Sequence, residues 1–442
     1  MLGDIDNYAD IYVWGSHFSL GISLAENNVH CILCEDAAGL LSRPEIVEAI
    51  DANDTLKSQY YSYIKNLGLY DASAECAKGA LCNVSAQNNS FQTFGNIIDF
   101  NVTKKFMELP EEQRNQIISF FLPEKKDIAI GKDTTILLTQ HFANLKVLSF
   151  EQQILIYQLF VDYFLDNTSL VIKPHPDDLM YYSQLFPCAK IVREKFPSEF
   201  MPVIFNHQPK CIATISSTAI YNLRESYPKI IELDSRFEKD FGMIHRYFAA
   251  VKMAQKLNMN IACLGANEVL ARCLCDTLDG FVPSVSCKEE HIQQPCVLLV
   301  DDVTEQEDEG RIEVQTLLQT LDSNSCVIFI NSKEDYCWYD YELRDIWTNI
   351  VPVSLKKRIL ENTPEDFYAS LRDEILYVYS KNEELLTMAK NTVIDKELLH
   401  TGISIENNTF TPEQERIKML EGILAATEKR LLYYIEKERE QK

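Results

Sequence analysis

The chain has 442 residues, 46% of them hydrophobic and 24% charged, the balance of a folded water-soluble protein too long for one ordinary core. Its net charge of −24 argues against nucleic acid as a partner and against a basic membrane-docking surface. Thirteen cysteines follow an N-terminus with no apolar leader, so the expectation is reduced thiols in a cytoplasm rather than a disulfide framework.

In chain order, "DIYVWG" (10–15) reads as a strand, "SHFSLGISLAEN" as a turn and helix, and "VHCILCED" (29–36) as a second strand. "CILC" has CxxC spacing but lies in an apolar run with no second pair at zinc spacing, so buried structural cysteines are expected. Residues 58–70 and 103–121 read as helical, and the polar Pro/Gly stretch 122–133 as a linker. Residues 1–130 thus form a first Rossmann-like domain.

Residues 131–282 alternate short apolar strands with helical patterns. The strands are 134–140, 169–175, 190–195, 210–217, 229–234 and 260–266; helices fall at 149–165, 178–186, 219–225 and 244–258. Such alternation predicts a parallel sheet covered on both faces, a second Rossmann-like domain.

Residues 283–442 read as an accessory α/β region, with strands at 296–300, 326–330 and 350–354. "CVLLVDD" (296–302) resembles the opening of a phospho-receiver, but the strand that should carry the phosphoacceptor aspartate ends in Asn331. A long helix is expected from about 412, with Ile417, Leu420, Leu424, Thr427, Leu431 and Tyr434 on one face. It reads as packing on its own protein, or as a short homodimer coil.

Ligands of parallel sheets bind beyond the carboxyl ends of the strands. Those ends are polar here: Thr139, Gln140 and His141; then Lys173 and His175; then Ser216, Ser217 and Thr218 ahead of a helix. In "SLVIKPHPDD" (169–178) two prolines bracket His175, fixing φ and restricting the residue before each ring, so the imidazole is held in one place. Hydroxyls and free N–H groups at a helix start would take an anion, near His175 if those two strands are neighbours. Glu199 in "FPSEF" (196–200) could accept bonds from a ribose diol or a base amino group. Glu35 and Asp36 end the strand "CILC" and supply two carboxylates, one to act as base and one to orient it. A surface or capping role remains open for each residue taken alone.

"EDAAG", "KPHP" and "ISST", in that order and spacing, resemble the acidic, HP and S-S/T motifs of bacterial sialyltransferases of the two-domain GT-B type. The nearest likeness is to glycosyltransferase family 52 and the polysialyltransferase-like group, over about residues 10–275. The resemblance implies two facing Rossmann-like domains, with 1–130 on the acceptor side and 131–282 on the donor side. It implies metal-independent, inverting transfer of sialic acid or a related acidic sugar from a CMP-sugar donor to a glycan acceptor, without a cofactor. Asp36 matches the general base, with Glu35 as the alternative because the motif glycine is displaced to Gly39. His175 matches the group that stabilises or protonates the departing phosphate. Lys173, Gln140, Ser216, Ser217 and Thr218 match the donor-phosphate side, and Glu199 the cytidine side. A lipid-linked acceptor would draw the protein to the inner face of the membrane.

Three alternatives stand beside this reading. A CDP-alcohol transferase would need a second catalytic histidine in the first half, where His17 and His30 occur. A Kdo transferase uses another CMP-linked acidic sugar. A degenerate, non-catalytic nucleotide- or glycan-binding protein would keep the fold alone.

Overall fold

The computed structural model describes residues 8–88, 91, 95–123, 128–165, 169–233, 244–278, 280–286, 292–300, 320–330, 349–354 and 375–390. The chain is mixed α/β with parallel sheets. It divides into two compact units, one of Met1–Leu148, Val171–Asp178 and Ile191–Ile230, the other of Ser149–Leu170, Leu179–Lys190 and Ile231–Lys442.

The first sheet holds β1 (Tyr12–Val13), β2 (Cys31–Cys34), β3 (Ala77–Cys82) and β4 (Asn96–Asp99), in that spatial order. All three pairings are parallel. Every residue of β2 is buried, as a strand covered on both faces requires. Leu24, Leu33, Ile64, Leu69, Ala80 and Cys82 form its core. The sequence shows β1 and β2 but not β3 or β4. Gly79 interrupts the apolar pattern of β3, where a Cβ would strike the Asn96 carbonyl, and β4 is exposed along its whole length.

The helix expected over 103–121 is two helices, Val102–Glu108 and Glu111–Phe121. Pro110 separates them, and a proline carries no N–H to continue the ladder. The Asn101 side chain caps the first by accepting from Lys104 N at 3.0 Å.

The second sheet is built from β5 (Thr135–Leu138), β6 (Leu170–Lys173), β7 (Lys190–Ile191), β8 (Cys211–Thr214) and β9 (Ile230–Glu232). Its order is β7-β6-β5-β8-β9, and β5 runs parallel to β8. The condition that the strands ending in His175 and in Ser217 be neighbours is therefore not met. β5 lies between them and inserts Thr139, Gln140 and His141. Ile136, Leu138, Val171 and Ile212 join Phe200, Ile204, Ile220 and Leu223 in one core.

The third sheet lies in the second unit. It comprises β10 (Asn260–Leu264), β11 (Val285–Ser286), β12 (Cys296–Val300), β13 (Cys326–Phe329), β14 (Asn349–Ser354) and β15 (Ile375–Ser380), in the order β11-β10-β12-β13-β15-β14. β10 pairs in parallel with β12, so the strand at 260–266 belongs with the later strands and not with β9. β15 is antiparallel to both its neighbours. The helix expected from 412, its dimer coil, and Asp301, Asp302 and Asn331 lie outside the described residues. No helix among the described residues is long and apolar enough to cross a membrane.

Candidate active site

A cavity of about 470 Å³ opens at the carboxyl ends of β2, β5, β6 and β8, entirely within the first unit. Asp36 lines it from the first sheet. Gln140, Lys173, His175, Glu199, Ser217 and Thr218 line it from the second.

His175 is held from several directions. Its backbone N–H donates to Thr139 Oγ1 at 3.3 Å, and Thr139 Oγ1 donates to Asp178 Oδ2 at 2.9 Å. Asp178 N donates to the His175 carbonyl at 2.9 Å. Asp177 N donates to His175 Nδ1 at 3.2 Å. With Nδ1 accepting, the neutral ring carries its proton on Nε2. The His141 ring stacks on it, centroids 4.0 Å apart and planes 22° apart. Burial, and after it the neighbouring His141, push the His175 pKa down to about 4, against Asp177, which raises it. The ring is therefore neutral near pH 7 and presents an N–H donor. His141, also depressed by burial, is the supporting residue the motif reading left out. Its only signal in the sequence is its place as the third polar residue at the end of β5.

Lys173 is the last residue of β6. Burial lowers its pKa to about 8, opposed by Glu199, and its Nζ lies 4.6 Å over the Phe196 ring. Glu199 follows Pro197 in a short 3-10 turn, Ser198–Phe200. Its Oε1 accepts from Asn222 Nδ2 at 3.1 Å, and Asn222 Oδ1 accepts from Asn83 Nδ2 at 2.9 Å. This relay ties the second sheet's loop to the end of β3.

Ser217 is fixed by its own N–H, which donates to Thr214 Oγ1 at 2.9 Å; Thr214 in turn donates to the Leu138 carbonyl at 3.0 Å. Ser216 does not line the cavity. Its carbonyl accepts from Gln140 Nε2 at 3.4 Å. The helix behind these hydroxyls spans only Ala219–Leu223, and its N-cap Thr218 makes no side-chain cap bond. Little dipole stands behind these hydroxyls, so an anion here would meet chiefly the hydroxyls and Lys173.

The two carboxylates after β2 separate cleanly. Glu35 accepts from Gln87 Nε2 at 2.7 Å, Asn83 N at 3.1 Å and Leu41 N at 3.4 Å. Its burial raises its pKa while these bonds oppose the rise. Both its oxygens bind the loop, and it is absent from the cavity wall. Asp36 is exposed to the cavity. Its Oδ1 accepts from Gly15 N at 2.7 Å, and its Oδ2 lies 4.0 Å from His17 Nδ1. Gly39 has φ +86°, the left-handed region, and its carbonyl accepts from Ser42 Oγ at 3.0 Å. Displaced as it is, the glycine still closes the turn.

His141, His175 and Asp177 place one ligand atom each within 4.8 Å of one another, a set that suits a borderline cation such as zinc. The Asp177 N–H already occupies His175 Nδ1, and the neutral ring's other nitrogen bears the proton. A cation would have to displace one or the other.

The profile of glycosyltransferase family 52 matches residues 97–235. Residues 97–235 are similar to glycosyltransferase family 52. A protein of Haemophilus influenzae (strain ATCC 51907 / DSM 11121 / KW20 / Rd), described as an uncharacterized protein, is 32% identical over 131 residues, or 29% of this chain. The chain spans 40% of that relative's length. No solved structure matches. The family 52 segment contains His141, Lys173, His175, Glu199, Ser216, Ser217 and Thr218. Asp36 precedes it and reaches the same cavity through the fold.

Proposed function

We propose that the protein is an inverting, sialyltransferase-like glycosyltransferase of GT-B type. It moves sialic acid or a related acidic sugar from a CMP-sugar to a glycan acceptor, with no cofactor and no metal. The observation that carries this reading is the single cavity joining an exposed carboxylate, Asp36, to a buried lysine, a neutral histidine and two hydroxyls.

The acceptor hydroxyl gives its proton to Asp36 as its oxygen attacks the anomeric carbon. The bond from that carbon to the phosphate oxygen breaks, and the electron pair leaves with CMP. One displacement from the face opposite the phosphate inverts the centre. Negative charge grows on the phosphate, where fixed donors in a partly dry site stabilise the transition state most. Those donors are His175 Nε2–H, the Lys173 ammonium, and the Ser217 and Thr218 hydroxyls, with Gln140 beside them. Because His175 is neutral, it stabilises the phosphate by donating a hydrogen bond. The free capacity of Glu199 faces the cytidine part. CMP is a fair leaving group without a cation.

Calorimetry with CMP, CDP, UMP and UDP, without metal and then with magnesium, tests the reading. Metal-free preference for CMP is expected, weakened by Ser217→Ala. His175→Ala should lose transfer while keeping the fold. A preference for uridine nucleotides would sink the donor assignment.

The contact between His17 and Asp36 favours one second reading, transfer of a polyol phosphate from a CDP-alcohol with CMP leaving, which needs a histidine in the first half of the chain. Tighter binding of CDP than of CMP, with loss of activity in His17→Ala, would select it.

A further inference from the structure

The neighbourhood of Asp36 contains more than a carboxylate. β1 and β2 are adjacent and parallel, so the loops leaving their carboxyl ends run side by side. The link is explicit: Gly15 N donates to Asp36 Oδ1 at 2.7 Å. Gly15 has φ +61°, and the Phe18 ring packs so closely on it that a Cβ there would collide. The Phe18 ring is thus separated from the carboxylate by one glycine. Trp14 precedes that glycine.

Both aromatic rings are open to solvent. Trp14 is 59% exposed and Phe18 49%. A lone exposed aromatic needs no explanation. Two on one five-residue loop, whose Gly15 N–H holds the cavity-lining carboxylate Asp36, call for one. Polar groups stand against Phe18. His17 sits 4.3 Å from the Phe18 ring, and Lys57 Nζ lies 4.2 Å over that ring. Asp51 holds Lys57 at 3.1 Å. An apolar platform with a few placed polar groups is the make-up of a small-ligand site. A pyranose ring matches it in shape and chemistry. One face is C–H, which lies on an aromatic ring, and its rim of hydroxyls meets carboxylate, imidazole and ammonium.

We propose that Trp14 and Phe18 are the acceptor platform, on which the terminal pyranose of the glycan lies so that one hydroxyl reaches Asp36. The assignment rests on the transferase reading above and names the half of the site that the family 52 segment does not contain. Lys57 and His17 select the rim of the sugar. Phe18 also braces Gly15, and through it the orientation of Asp36.

The test uses full-length protein, the variants Trp14→Ala, Trp14→Phe and Phe18→Leu, and fluorescently tagged galactosides, N-acetylgalactosaminides and sialosides as probes. Transfer and CMP-sugar hydrolysis are measured together, with calorimetric CMP binding as the control. The expected result is an acceptor KM raised tenfold or more in Trp14→Ala and Phe18→Leu, with CMP affinity within twofold of the parent. Hydrolysis should fall less than transfer, and Trp14→Phe should recover most of the acceptor affinity. Acceptor KM values within twofold of the parent in both truncations overturn the platform. If the parent turns over no CMP-sugar, the transferase reading fails by itself, and the same glycosides are then tested by direct binding. Binding lost in Trp14→Ala keeps the platform; no binding overturns it. Sedimentation with phosphatidylglycerol vesicles that Trp14→Ala abolishes, without any glycoside effect, overturns it in favour of a lipid surface.

Discussion

At the scale of single residues the proposal depends on protonation states, and these are measurable. His175 should titrate near pH 4 by NMR in the free protein, against 6.5 for an unperturbed imidazole. Between those values the unfolded chain binds the extra proton, so folded stability drops as pH falls through that window. Bound CMP should raise the midpoint, because a phosphate favours imidazolium. A midpoint near 6.5 that ignores CMP would contradict the stacked, buried ring. His141→Phe keeps a ring against His175 but removes its charge, and should raise the midpoint slightly; His141→Ala should also loosen the ring and cut transfer about tenfold. The two carboxylates after β2 give a second prediction. Asp36→Asn should abolish transfer with CMP binding intact. Glu35→Gln should lower the melting temperature, because one of its two oxygens becomes an amide that cannot accept from its present donors. The reverse assignment of effects would make Glu35 the base.

At the scale of elements, the Asn83–Asn222–Glu199 relay is the most informative joint. Asn222 is 4% exposed, and Asn222→Ala takes the donor from Glu199 Oε1 and leaves Asn83 Nδ2 only its 3.4 Å bond to the Tyr221 carbonyl. The expected cost is about 1–3 kcal/mol of stability, read from urea unfolding, with weaker binding of CMP than of ribose 5-phosphate. A fully stable variant would show that water replaces the amide. The elements themselves were unequally legible. "TILL", "LVIK" and "CIAT" are four-residue buried runs, and such runs announce a covered parallel strand. Their polar ends could be read as candidates because strand polarity fixes which end opens outward, and most of them line the cavity. The order of the strands could not be read. Nothing in local periodicity says that β5 lies between β6 and β8, so the stacking of His141 on His175 was invisible. The separate roles of Glu35 and Asp36 were equally hidden, since Gln87, Asn83 and Gly15 reach them only through tertiary structure.

At the scale of the molecule, the cysteine pattern permits a direct check on the fold. Among the described residues all eleven cysteines are free, and of these only Cys188 is exposed. Burial pushes the Cys31, Cys82 and Cys275 thiols up to about 12. Maleimide labelling of native protein, mapped by peptide mass, should mark Cys188 quickly and leave those three untouched until denaturant is added. Early labelling of Cys31 or Cys82 would mean the first sheet opens easily. The loop from Glu35 to Arg43 has a consequence of another kind. It is anchored on Gln87 and Asn83, residues that follow β3 in the same sheet, and it turns on its own glycine. The wall carrying Asp36 is therefore encoded ahead of the segment that supplies Lys173, His175 and Ser217, and it meets that segment through the Asn83–Asn222 bond and through Arg43 over the Tyr221 ring. On the proposed transferase reading, the acceptor wall and the donor segment are separate stretches of chain, and chimaeras joined between β4 and the helix Val102–Glu108 should change acceptor preference while keeping CMP affinity.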